Sequence, residues 1–512
     1  MISLKSAALL LVTLAASLAL LMPLAFFTPP RDSEVWLFQT ITEMQGQQRF
    51  VPVLNNTPLI GHNPLILSGL SLLPIRDISC PRLVCSVLGC IFIVFVFLYS
   101  LALFDLSSAF VSSLVAMTSL GFLALFGTLN LMTLPVTLAA TAFGFFAVVY
   151  LKRLHTLWYL PSYVLAAMAV VTGGYFMLMF FLLGALLLIL LDLAPSELFS
   201  IHLIAGAMII ACAMIAFFAS YRIALGQGFT NRAFSQGGHL GLFKSLYAVI
   251  TYASPWIFLV IPAWLSGGGP SDKDAWRKLL PLRIAIIVGF FMLWFSSSSL
   301  PQYATVLVVF TAPLIGCWIS RSIFHGENKG SLGFWMMVLS GLSAFLCAFV
   351  LLLLPWRFGF AIQTKQLIAV AGFLAATLLF IFFTFKRRMS AQFILIVSAV
   401  AFIVWYMAFL SPEDQWGRKI SYMEGISRNR PLVVYEDDLI MRGYMSAVDA
   451  DAMIVDRNIV PLNDSAFLAV STSDLAGLLD GLKGRMHSMV LDSYRAENTY
   501  ALVMISPKRK VE

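Results

Sequence analysis

The sequence predicts an α-helical multi-pass membrane protein of about thirteen transmembrane helices with a small C-terminal α/β domain. Three observations carry this. The 512 residues are 60% hydrophobic and 11% charged, with a mean hydropathy of +0.90, where soluble domains run about 45–50% apolar and about 25% charged. The charge is unevenly spread: residues 411–512 hold 27 of the 58 charged side chains. Apolar runs long enough to cross a bilayer, about 20 residues each, recur along the rest. A water-soluble enzyme is excluded for most of the chain, as are a disordered chain, a coiled coil and a disulfide scaffold.

The body, residues 1–410, carries 21 Lys/Arg against 10 Asp/Glu, so the basic excess of the chain belongs to it. In a membrane protein such an excess reads as topology rather than as a nucleic-acid patch; the expected surroundings are membrane lipids. The six cysteines, Cys80, Cys85, Cys90, Cys212, Cys317 and Cys347, lie in or beside apolar segments without a metal-site spacing.

The apolar runs fall near 7–27, 84–104, 107–127, 133–151, 157–174, 176–192, 201–219, 247–265, 282–298, 302–320, 332–354, 366–385 and 392–410. The first follows Lys5 and ends in Thr28-Pro29-Pro30 without a small-x-small cleavage site, so it is read as a helix and not as a signal peptide. A cytoplasmic N-terminus places Lys152-Arg153, Lys273, Arg277, Lys278, Arg283, Arg321, Lys329 and Lys386-Arg387-Arg388 in inner loops. With Lys5, 12 basic residues are then inside against 9 outside, as the positive-inside rule requires. Thirteen spans put the tail on the outer side, which in a Gram-negative cell is the periplasm.

Two outer loops are long, 28–82 and 220–246. Both mix polar residues with aromatic ones such as Trp36, Phe38, Phe234 and Phe243, a composition suited to short helices in the interface. Of the body's acidic residues only Asp32, Glu34, Glu43 and Asp77 fall outside, all in the first loop. A general base or metal site on the outer face must draw its carboxylates from these or from the tail. Arg31-Asp32-Ser33-Glu34 is the best placed, and the same residues suit a helix N-terminus.

His62-Asn63 before Pro64, and His239 between Gly238 and Leu240, are polar groups at loop positions that can meet a phosphate or sugar, although composition alone favours a solvated turn at each. Ser296 to Ser299, then Leu300-Pro301-Gln302-Tyr303, join two spans at the outer face, and Ser298, Ser299 and Tyr303 are candidate substrate contacts or helix-end partners. Thr172-Gly173-Gly174-Tyr175 interrupts one apolar stretch. No phosphate-binding Gly-Lys loop, dinucleotide fingerprint, His-Glu-x-x-His or Cys-x-x-Cys is present.

In the tail, 411–512, the segments 431–435, 452–455, 466–471 and 500–505 read as strands. A helix opens at Thr472-Ser473, with Leu475, Leu478, Leu479 and Leu482 at helical spacing.

Taken in order, these motifs resemble the bacterial lipid-linked-sugar glycosyltransferases related to the lipid A aminoarabinose transferase and to protein O-mannosyltransferases. The residues that carry the likeness are Arg31-Asp32-Ser33-Glu34, Val51-Pro52-Val53-Leu54-Asn55-Asn56-Thr57-Pro58, His62-Asn63-Pro64-Leu65, Val170 to Gly174, Gly238 to Phe243 and Ser296 to Tyr303. The resemblance implies a C-type glycosyltransferase fold and transfer of a sugar from a polyprenyl-phosphate donor to a lipid or glycan acceptor in the periplasm. It implies Asp32 as the catalytic residue, acting as the base or positioning the acceptor or a metal, with Glu34 in support. It also implies Arg31, His62, Asn63, His239, Ser298, Ser299 and Tyr303 as donor or substrate contacts, and a divalent metal ion as a candidate cofactor. The chain departs from the family at His62, Ser299, Leu242 and Gly173, where the family carries Lys, Lys, Arg and Lys, and at 127–132, where no second acidic residue stands. Those departures suit a catalytically degenerate scaffold of envelope-glycan assembly. A transporter or flippase is disfavoured by the scarcity of intramembrane charge.

Overall fold

The computed structural model describes residues 3–27, 32–47, 53–54, 57–58, 64–73, 78–173, 175–192, 200–225, 242–253, 256–265, 273–295, 305–321, 432–435, 453–455, 466–471, 486–494 and 500–507. In chain order the elements are α1 (Leu4–Phe27), α2 (Asp32–Gln47), β1 (Val53–Leu54), β2 (Thr57–Pro58), α3 (Pro64–Ser71), α4 (Ser79–Leu103), α5 (Leu106–Met117), α6 (Leu120–Phe126), α7 (Thr133–Leu151) and a 3₁₀ turn at Thr156–Trp158. Then come α8 (Tyr159–Gly173), α9 (Tyr175–Leu191), α10 (Ile201–Leu225), α11 (Leu242–Ala253), α12 (Ile257–Leu265), α13 (Lys273–Phe295), α14 (Thr305–Ser320), β3 (Leu432–Tyr435), β4 (Met453–Val455), β5 (Ala466–Ser471), β6 (Met486–Tyr494) and β7 (Tyr500–Pro507).

Among the described residues four segments are long and apolar enough to cross a membrane: α1, α4, α7 and Thr156–Gly173. The bent pair α5–α6 makes a fifth, and α9, α10 and α14 hold shorter apolar stretches. The runs expected near 332–354, 366–385 and 392–410 lie outside the described residues.

Two predicted spans take another form. The run 107–127 is bent by 63° between α5 and α6. A pair of hydroxyls lines the bend: Thr118 donates to the Leu114 carbonyl at 2.5 Å, and Ser119 donates to Ala116 at 2.8 Å while accepting from the Phe122 amide at 3.3 Å. Such bonds offer the backbone an alternative to the next helical turn and cap the one that follows. The run 247–265 is divided into α11 and α12, and the sequence between them is Ser254-Pro255. The residue before a proline is pushed out of the helical region, so a helix ends there.

The helices close on an aromatic core. Phe143 meets Phe180 and Phe310 edge-on, and Phe146 does the same with Phe181. Close approach depends on small residues: a Cβ on Gly316 of α14 would strike the backbone N and Cα of Ser112 on α5 at 2.6 and 2.7 Å, as well as the Ser112 hydroxyl. At the far ends of α9 and α13, Arg277 pairs with Asp192 at 2.7 Å, and Tyr150 of α7 donates to the same carboxylate at 3.1 Å. Arg283 lies over Trp276 and Trp264 and donates to the Trp264 carbonyl, which ties α13 to the end of α12.

The five tail strands form one sheet in the order β4-β3-β5-β7-β6. β3 runs parallel to β4 and β5, and β7 runs antiparallel to both β5 and β6. Four strands fall where the sequence predicts them. The fifth, β6, was not expected: it interleaves His487, Ser488, Asp492 and Ser493 with apolar residues and carries an irregularity between Val490 and Asp492. The helix expected from Thr472 lies outside the described residues.

Candidate active site at the start of α2

The described residues between α1 and α4 bury a small core of their own. Leu37, Phe38, Ile41 and Met44 recur at helical spacing on α2, so they share one face. They bury against Leu67 and Leu70 of α3, Ile78, Cys85 of α4, and Leu129 and Leu131. Gln45 donates to the Leu73 carbonyl at 3.2 Å, fastening the far end of α2 to the end of α3. β1 and β2 pair antiparallel, Leu54 with Thr57, across the two-residue connection Asn55-Asn56.

Asp32 is the first residue of α2, and Glu34 lies in its first turn, where the helix dipole favours negative charge. Glu34 is 1% exposed and faces Arg82, also 1% exposed, in the first turn of α4. The guanidinium grips the carboxylate with two parallel bonds, Nε to Oε1 at 2.9 Å and Nη2 to Oε2 at 2.6 Å. The Leu129 amide adds a third donor to Oε1 at 2.6 Å. Leu129 belongs to the turn between α6 and α7, which is braced locally: Asn130 Oδ1 accepts from the Met132 amide at 2.9 Å, and Thr133 donates to the Asn130 carbonyl, also at 2.9 Å.

Glu34 thus ties together the first turn of α2, the entry to α4 and the turn after α6. A carboxylate holding one guanidinium fork and one amide is engaged on both oxygens by charge-assisted bonds. It suits holding a structure in place better than accepting a substrate proton. Asp32, two residues earlier, starts the turn that this clamp fixes.

Of the residues singled out from the sequence, the described structure therefore places Asp32 by its backbone and Glu34 by its contacts. Arg31, His62, Asn63, His239, Ser298, Ser299 and Tyr303 lie outside the described residues. Two partners were not singled out. Arg82 carries a signal that could have found it, a lone cation after Pro81 at the mouth of an apolar run, where an ionisable residue is functional by default. The Leu129 amide carries none, because it is backbone. The turn 127–132, set aside because it has no acidic residue, meets Glu34 through that amide. Glu34 is engaged by Arg82 and the Leu129 amide, and among the described residues no three His, Cys, Asp or Glu side chains group together.

No family model matches the sequence, and no curated protein matches it. Solved structures do. The chain superposes on ArnT from Cupriavidus metallidurans bound to undecaprenyl phosphate with a TM-score of 0.69 and 15% identity, over 96% of this chain and 97% of that one. The apo state of the same protein gives 0.70 and 15%, over 98% of each chain. At that identity the likeness is one of fold, and it agrees with the fold implied by the ordered sequence motifs. The chain has the C-type glycosyltransferase fold.

Proposed function

We propose that this protein is an integral membrane glycosyltransferase that moves a sugar from a polyprenyl-phosphate donor to a lipid or glycan acceptor at the outer face of a bacterial inner membrane. The observation that carries this reading is the Glu34 clamp, which fixes the first turn of the helix that Asp32 opens. It stands in a fold shared with a protein solved with undecaprenyl phosphate. In the proposed reaction Asp32 takes the proton from the acceptor hydroxyl as that oxygen attacks the sugar's anomeric carbon. The bond from that carbon to the phosphate oxygen breaks, and the polyprenyl phosphate leaves with the electron pair. Glu34 and Arg82 keep Asp32 in place; Arg31, His62, Asn63, His239, Ser298, Ser299 and Tyr303 are the proposed contacts to donor phosphate and sugar. Developing charge on the leaving phosphate is where preorganised donors contribute most.

A second reading is a scaffold subunit that keeps the fold without the chemistry. It is favoured by the neutral or weakly basic residues at 62, 173, 242 and 299, where the family resemblance places cations. One experiment separates the two. Sugar transfer from lipid-linked donors is measured in membranes containing the wild type, Asp32→Ala or Asp32→Asn. Transfer by the wild type that both changes abolish supports the enzyme and this site. Equal transfer by all three removes Asp32 from the mechanism. A wild type inactive with every donor supports the scaffold.

A further inference from the structure

We propose that Trp256 is a positioning residue for this site. Its buried indole N–H, donated to the Thr118 hydroxyl at 3.0 Å, fixes the bend that brings the Leu129 amide to Glu34. The inference rests on the transfer reading above and deepens it.

The chemistry of the contact comes first. Trp256 and Thr118 are each 1% exposed in an apolar interior, where an indole N–H and a hydroxyl both need partners. Thr118 spends its own proton on the Leu114 carbonyl, which leaves its oxygen to accept. Trp256 supplies the complementary donor from 138 residues away. The bond therefore joins the segment after α11 to the bend between α5 and α6.

That bend sets the direction of α6, and α6 is short. Its seven residues span about 10 Å. Its first turn is gripped from the same side as Trp256. A Cβ on Gly121 would lie 2.8 Å from the Tyr252 carbonyl oxygen, so α6 and the end of α11 touch backbone to backbone. Thr305, at the start of α14, donates to the Gly121 carbonyl at 3.4 Å. The last turn of α6 is tied to the site. Ser86 donates to the Phe126 carbonyl at 3.3 Å, and three residues further on the Leu129 amide reaches Glu34. A rotation released at Thr118 is carried along a rigid element to Leu129, and from there through Glu34 to the turn bearing Asp32. A misplacement of about 1 Å at reacting groups costs as much as 10²-fold in rate.

The test uses the full-length protein in membranes with a lipid-linked sugar donor. Trp256→Phe keeps the apolar ring and removes the donor; Thr118→Val keeps the shape and removes the acceptor; Thr118→Ser keeps the hydroxyl. We expect Trp256→Phe and Thr118→Val each to lower kcat by about 10- to 100-fold with KM little changed, and Thr118→Ser to restore most of it. We also expect Trp256→Phe to cost little more once Glu34→Gln is present, because coupled sites are not additive. Wild-type rates in Trp256→Phe and Thr118→Val, or effects of Trp256→Phe and Glu34→Gln that simply multiply, overturn the inference while leaving the transfer reading intact. A wild type without transfer overturns that reading instead. The same two-residue cycle is then read on thermal unfolding in detergent, where additive shifts overturn the coupling and non-additive shifts support it. Should Trp256→Phe fail to accumulate in membranes, the comparison of Thr118→Val with Thr118→Ser decides alone.

Discussion

Arg82 and Glu34, 48 residues apart, form a two-pronged ion pair with both side chains almost wholly withdrawn from solvent, and the Leu129 amide completes the carboxylate. Removing one member of such a pair strands the other charge, at a cost of roughly 3–5 kcal/mol. Arg82→Met is expected to lose that much stability. Glu34→Gln should lose less, since its amide oxygen still accepts from Leu129. Denaturant or thermal unfolding in detergent measures both, and an Arg82→Met protein as stable as the wild type would show that the pair holds nothing together.

The contact between α14 and α5 admits no methyl group at Gly316, where a Cβ would meet the Ser112 backbone at 2.6 Å. Gly316→Ala should force the helices apart and destabilise the protein by about 1–3 kcal/mol, the usual range for overpacking. Gly69 of α3 offers the control, because a Cβ there meets nothing within 4 Å. Gly69→Ala should gain about 0.5–1 kcal/mol from helix propensity. Unfolding midpoints that move the same way for both would refute the packing argument.

Arg283 stacks 4.5 Å above Trp276 and 5.7 Å from Trp264 while donating to the Trp264 carbonyl at 2.8 Å. Lysine keeps the charge but lacks the flat face and the fixed fork of donors. Arg283→Lys should therefore cost about 1–2 kcal/mol, the cation–π share of a partly desolvated site. Unchanged stability in that variant would mean that charge alone suffices.

The Asp192–Arg277 pair makes the opposite forecast. Asp192 holds the Arg277 guanidinium more firmly protonated by hydrogen bonding to it, yet Arg277 remains a third exposed. Exposed pairs contribute about 0–1 kcal/mol and fade with salt. Asp192→Asn should cost less than about 1 kcal/mol, and the loss should shrink between low and high salt. A large, salt-independent loss would mean that the pair is effectively buried.

How much of this was legible in the sequence depends on the range of the cause. α7 was read to the residue, 133–151, because an unbroken apolar run ends at Lys152. The ends of α8 and α9 were marked by Gly173 and Tyr175 for the same local reason. The bend at Thr118 was missed, since two hydroxyls in an apolar run are as compatible with a straight helix bonding back on itself as with a kink. What selects the kink is contact with Trp256, Tyr252 and Thr305, which are distant in the chain. In the site, Asp32 and Glu34 could be picked out because acidic residues are so few outside the membrane. That Glu34 would be occupied could not, because Arg82 and the turn at 127–132 reach it only through tertiary packing.

The third ligand of Glu34 is written in the path of the chain and not in its lettering. Any residue with an N–H can donate from position 129, so a search for a matching side chain would pass over it even between proteins built alike. Leu129→Met should leave the contact whole, and Leu129→Pro should delete it without touching a charge. In such a site the course of a turn, and not the residue that stands at 129, supplies the donor.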